Sequence, residues 1–104
     1  MRDTRGLLIP TAALLLCAWP VLGCGSVYYT VSVGQASSKL EQARQMGAEI
    51  QAPYEYTFAK EHLRQAQIEA AEASYSDAAG YAETAELYAQ RAIDHMQSSK
   101  KGGR

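Results

Sequence analysis

The sequence predicts an all-α fold, a small antiparallel three-helix bundle with helices at about 31–51, 53–74 and 77–98. Three observations point there. Small and apolar residues recur at alternating spacings of 3 and 4 in three successive segments. Twelve alanines fall between residues 52 and 92, which favours helix throughout. Two short breaks, at Ala52-Pro53 and at Ser74-Tyr75-Ser76-Asp77, separate the segments.

The first stripe is Val33, Ala36, Leu40, Ala43, Gly47 and Ile50. Residues 24–34 before it read as a flexible tether, since β-branched and small residues start helices poorly. Pro53 then suits the first position of a new helix, and Glu55 in its first turn complements the helix dipole. The second stripe is Tyr56, Ala59, Leu63, Ala66, Ala70 and Ala73. Ser76 is the expected N-cap of the third helix, whose stripe is Ala78, Ala82, Ala85, Ala89, Ala92 and Met96. Residues 99–104 read as a basic disordered tail, so the helical domain proper is 35–98. Folding the last two helices about residue 75 places Tyr88 near Leu63 and Tyr81 near Ala70, large against small.

The first 23 residues have another character. Arg2 and Arg5 precede an apolar stretch from Gly6 to Leu22, interrupted by Pro10, Thr11 and Pro20. A positive head, an apolar middle and small residues before a cut mark a secretory signal. The ending Val21-Leu22-Gly23-Cys24 resembles the lipobox of bacterial lipoproteins. That resemblance implies cleavage between Gly23 and Cys24, a diacylglycerol on the Cys24 sulfur and an acyl chain on the new amino terminus. An uncleaved signal anchor and a plain secretory signal are the alternatives; the apolar run is short for a span and holds two prolines.

A mature chain of residues 24–104 carries eight Lys/Arg against ten Asp/Glu, a net charge of −2, which argues against nucleic acid as a partner. Cys17 leaves with the leader and Cys24 is blocked by lipid, so no thiol remains for a disulfide, a metal or a nucleophile. The expected cofactor set is therefore empty apart from the lipid on Cys24. His62 and His95 have no second His or Cys at ligand spacing and read as surface or boundary residues. Glutamates dispersed among alanines suit a solvated helix face, and no nucleophile has a base beside it. The chain is not expected to be an enzyme.

The seven tyrosines all follow Cys24. Tyr28 and Tyr29 lie close enough to it to meet a membrane interface. Tyr54, Tyr56 and Phe58 cluster at the start of the second helix, either packing on the bundle or forming a binding surface for a protein or glycan.

The run Ala52-Pro-Tyr-Glu-Tyr-Thr-Phe-Ala-Lys-Glu-His-Leu-Arg-Gln-Ala66, with Tyr75-Ser-Asp-Ala-Ala-Gly-Tyr-Ala-Glu-Thr-Ala85, resembles an uncharacterised Ala-rich helical domain of proteobacterial envelope lipoproteins. In that family the domain often precedes an OmpA-like domain. The resemblance covers roughly residues 35–96 and carries no catalytic residues. The second run is also similar to the later helix of a tetratricopeptide repeat, through Tyr75, Ala78, Ala82 and Ala85. A solenoid needs about three such hairpins, and one is present.

These readings converge on a membrane-anchored periplasmic lipoprotein of the outer membrane. Its helical domain is expected to act as a structural or adaptor module. The expected partners are the membrane, through the lipid, and an envelope protein or a second copy; no metal or nucleic acid is expected. Gly25 rather than aspartate after Cys24 favours the outer over the inner membrane in this reading. The alternative is a small-ligand or glycan site at Tyr54, Tyr56 and Phe58.

Overall fold

A computed structural model describes residues 24–103. Residues 1–23, with Gly23 of the expected cleavage site, and Arg104 lie outside the described residues. The fold is all-α: α1 Cys24–Gln45, α2 Ala48–Gln51, α3 Pro53–Ala71 and α4 Tyr75–Gly102, with no strand among the described residues. None of these helices is long and apolar enough to cross a membrane.

α4 packs along both α1 and α3, which touch each other less. Its direction matches that of α1. Lys39 Nζ of α1 lies 3.0 Å from Glu86 Oε1, and a Cβ at Gly25 would lie 3.6 Å from Tyr75 Cβ. α3 runs the opposite way, placing Phe58 against Tyr88 and His62 against Tyr81. Being flanked on two sides, α4 buries a broad face: Ala78, Ala79, Ala82, Ala85, Ala89, Ala92, Ile93 and Met96. All six members of its expected stripe are among them. Alanine seams let helix axes come to the short end of the usual ~8–10 Å range. The bulk collects at the end away from Cys24, where Tyr56, Ile93 and Met96 pack with Ala43, Ala48, Ala52 and Ala92.

Four boundaries differ from the expectation, each for a local reason. The first expected helix is divided at Met46-Gly47, giving four helices where three were expected. Gly47 takes φ 88°, a left-handed conformation open to glycine, and its N–H bonds to the Arg44 carbonyl at 3.0 Å. This turn rotates α2 so that Ile50, expected in the stripe, is 85% exposed. Helix also extends back to Cys24, so residues 24–34 form the first turns of α1 rather than a tether. Packing outweighs the poor propensity there: Tyr29 rests on Tyr75, Tyr28 Oη donates to Glu83, and Ser32 is buried. The Ser32 and Thr30 hydroxyls donate to the carbonyls of Tyr28 and Ser26, four residues back. The Glu83 carboxylate, accepting the Tyr28 hydrogen bond, raises that phenol above its usual pKa.

The α3–α4 turn centres on residue 73, not 75. Ser74 N–H bonds to the Glu69 carbonyl at 2.9 Å and Ala73 N–H to the Ala70 carbonyl at 3.0 Å. This is a Schellman closure with Ala73 in the left-handed position usually held by glycine, at φ 61°. Ser74 rather than Ser76 therefore precedes α4. Finally, α4 continues to Gly102, so residues 99–102 are helical, with Lys100 and Lys101 in the last turn complementing the dipole.

Gly47→Ala is expected to cost about 1–2 kcal/mol, because it puts a Cβ on a left-handed residue. The space is available, since that Cβ would sit 3.9 Å from Met96 Cε, so the cost is one of backbone conformation. Urea unfolding followed by circular dichroism measures it.

Candidate functional site

The site begins with a helical spacing. Tyr54, Phe58 and His62 follow one another at four-residue steps on α3 and therefore share a face. Pro53 and Glu55 set the start of that helix as the sequence suggested. Tyr81 and Tyr88, seven apart on α4, share the facing edge. Antiparallel packing brings the two rows together.

Phe58 is the centre. Its ring centroid lies 4.1 Å from that of His62 on one side and 4.1 Å from that of Tyr88 on the other. Tyr54 approaches Phe58 at 5.9 Å and meets Tyr88 edge-on at 6.3 Å. Tyr81 extends the row, 5.9 Å from His62. Arg91 lies 4.7 Å over the Tyr88 ring, a cation–π contact at the rim. The His62 ring is fixed by Nδ1, 3.0 Å from the Phe58 carbonyl oxygen one turn back.

Tyr54 is 66% exposed and Tyr81 37% exposed, so the row is a surface feature. Beside it runs a shallow groove. An apolar depression of about 470 Å³ is lined by Pro53, Tyr54, Thr57, Phe58, Glu61 and His62. A polar one of about 390 Å³, bounded by Glu69, Asp77 and Tyr81, continues it toward the α3–α4 turn. His62 lines both.

Tyr56 does not belong here. Two residues from Tyr54, it points about 200° around the helix and is 6% exposed inside the core cluster. The expected trio therefore splits: Tyr54 and Phe58 face outward and Tyr56 packs inward. His62, Tyr81, Tyr88 and Arg91 join the outward pair. The expected pairing of Tyr88 with Leu63 is replaced by Phe58, because the turn centres on residue 73. The signal that could have found this face is the four-residue spacing of Tyr54, Phe58 and His62.

Cys24 is the first residue of α1, at the end of the fold where the α3–α4 turn lies. His95, seven residues beyond Tyr88 on the same edge of α4, has Nδ1 4.0 Å from Glu55 Oε1. Among the described residues, no group of three His, Cys, Asp or Glu side chains is placed to hold a metal ion.

Residues 32–102 match the family DUF4398, a domain of unknown function, and the chain belongs to that family. The match spans the segment in which the Ala-rich helical domain was expected. No curated protein and no solved structure matches the chain.

Proposed function

We propose that this member of the DUF4398 family is a membrane-anchored envelope lipoprotein whose helical domain is an adaptor for another protein. In this reading α1, α3 and α4 work as an up-down-up three-helix bundle, with α2 a one-turn link. The anchor is the lipid on Cys24, after removal of residues 1–23, and the site is the outer membrane facing the periplasm. Support for the anchor comes from Arg2, Arg5, the apolar stretch and Leu22-Gly23-Cys24.

The observation that carries the adaptor role is the exposed aromatic row on α3 and α4. Tyrosine and arginine are the residue types that contribute most at protein interfaces, and here two rigid helices hold them in place. A glycan site is less well supported. Sugars stack on free ring faces, and both faces of Phe58 are covered by His62 and Tyr88. The domain acts by holding a partner near the membrane rather than by chemistry.

Two measurements test this. Replacing Cys24 with alanine is expected to move the protein from the membrane to the soluble fraction on fractionation. Retention of the Cys24→Ala form in the membrane would contradict the anchor. Photo-cross-linking from position 54 tests the contact face.

A further inference from the structure

We propose that the α3–α4 groove receives an extended, basic polypeptide segment, its aliphatic part against Tyr54 and Phe58 and its Lys or Arg residues toward Glu69 and Asp77. This rests on the adaptor reading and names the partner's chemistry.

The groove has two ends of different character. At the Tyr54 end the groove is lined by Pro53, Tyr54 and Phe58, with both faces of Phe58 covered by His62 and Tyr88. An apolar groove of this kind accepts alternate side chains of an extended chain. Toward the turn the groove becomes acidic. Glu61, which lines the apolar part, is already paired, 3.1 Å from Arg64 Nε, whereas Glu69 and Asp77 have no ion-pair partner among the described residues. Gln65 donates to Glu69 at 2.9 Å, which orients the carboxylate without neutralising it.

The placement of Glu69 sharpens the argument. It lies in the last turn of α3, where the helix dipole disfavours negative charge, and that turn contains no basic residue. Glu72 follows at the C-cap. A further observation is that, among the described residues, the end of the fold nearest Cys24 lacks a cation: between residues 25 and 38 and between 65 and 83 there is no Lys or Arg, against Glu69, Glu72, Asp77 and Glu83. An incoming basic segment supplies the missing counter-charge. From Pro53 to Glu69 is ~24 Å along α3, room for about seven extended residues. Because the acidic end is the Cys24 end, a basic stretch next to a partner's membrane-spanning or membrane-bound part would reach it in the anchored protein.

The test is a titration of the full-length chain in detergent. The probes are a fluorescein-labelled Leu-Pro-Ala-Leu-Lys-Arg-Lys peptide and its Leu-Pro-Ala-Leu-Glu-Asp-Glu counterpart, read by fluorescence anisotropy. The basic peptide is expected to bind and to weaken as salt is raised, and the acidic one not to bind at millimolar concentration. The double variant Glu69→Gln/Asp77→Asn is expected to bind about tenfold more weakly, as is Tyr54→Ala. A helical circular dichroism spectrum and a single cooperative melting transition well above the titration temperature for both variants exclude misfolding as the cause. Equal binding of the two peptides, or undiminished binding by the double variant, overturns the proposal. So does displacement of the basic peptide by chitotetraose with no competition by its unlabelled form, which assigns the groove to a glycan. If neither peptide binds while position 54 still cross-links a partner specifically, the adaptor reading stands and only the partner's chemistry is wrong.

Discussion

Tyr56→Ala is expected to lower the free energy of unfolding by about 3–4 kcal/mol, the cost of emptying a buried aromatic site. Tyr56 is 6% exposed, and it packs with Ile93, Met96 and four alanines, with Leu40 and Met46 against the same cluster. The surrounding alanines have no side-chain freedom with which to collapse into the space, so only Met96 and Met46 can fill part of the cavity. A domain of this size has ~5–15 kcal/mol in total, so the loss is a large fraction of its stability. Tyr54→Ala, two residues away, removes only ring contacts at 5.9 and 6.3 Å and is expected to cost no more than about 1 kcal/mol. Urea midpoints of the two variants separate these roles. Equal losses would mean that the outward row is part of the core.

The second large effect runs the other way, by adding atoms. Ala85→Leu is expected to destabilise by about 3 kcal/mol through overpacking. Ala85 is 1% exposed on α4, the helix flanked on both sides, and Ala36, Ala59 and Ala66 on the other helices are equally buried. Leucine has nearly the helix propensity of alanine, so a loss here reports helix separation and not helix weakness. The reverse change at Leu87, which is half exposed, has no comparable cost: Leu87→Ala should shift stability by well under about 1 kcal/mol. A chain that tolerates Ala85→Leu without loss does not pack α4 closely against its neighbours.

How much of this was legible in the sequence follows from the same residues. The α4 stripe could be read completely, because six small or apolar positions at steps of 4 and 3 leave one choice of inward face. The α3 stripe could be read down to Ala66, which is buried, and Ala70, which is half-buried, but not to Ala73, which is exposed. A left-handed alanine closes that helix, and alanine carries no signal for such a turn. Gly47 did carry one. It sat at a stripe position, and the spacing hid the fact that glycine there ends α1. Residues 24–34 gave the opposite error: weak propensity and no charge resembled a tether, and the tertiary contacts of Tyr28 and Tyr29 and the burial of Ser32 hold them helical.

The candidate face was half legible for a related reason. Proximity in sequence grouped Tyr54, Tyr56 and Phe58, whereas helical geometry separates the middle residue from the outer two. The contribution of α4 depended on the hairpin register, which a two-residue shift in the turn moves by about four residues, just over one helical turn. Surface charge showed the same limit. Glu41 is held below the usual carboxylate pKa by the hydrogen bond from Arg44, a local pair that spacing predicts. The Lys39–Glu86 pair between helices needed the fold.

The most direct test of the adaptor role is site-specific photo-cross-linking in the intact cell envelope, with a benzophenone amino acid replacing Tyr54 in one variant and Ile50 in another. Both positions are well exposed, and Ile50 lies on α2, outside the aromatic row. The adaptor account predicts a discrete cross-linked product from position 54, lost when Tyr81 and Tyr88 are changed to alanine, and none from position 50. No product at position 54, or the same product from both positions, would contradict it.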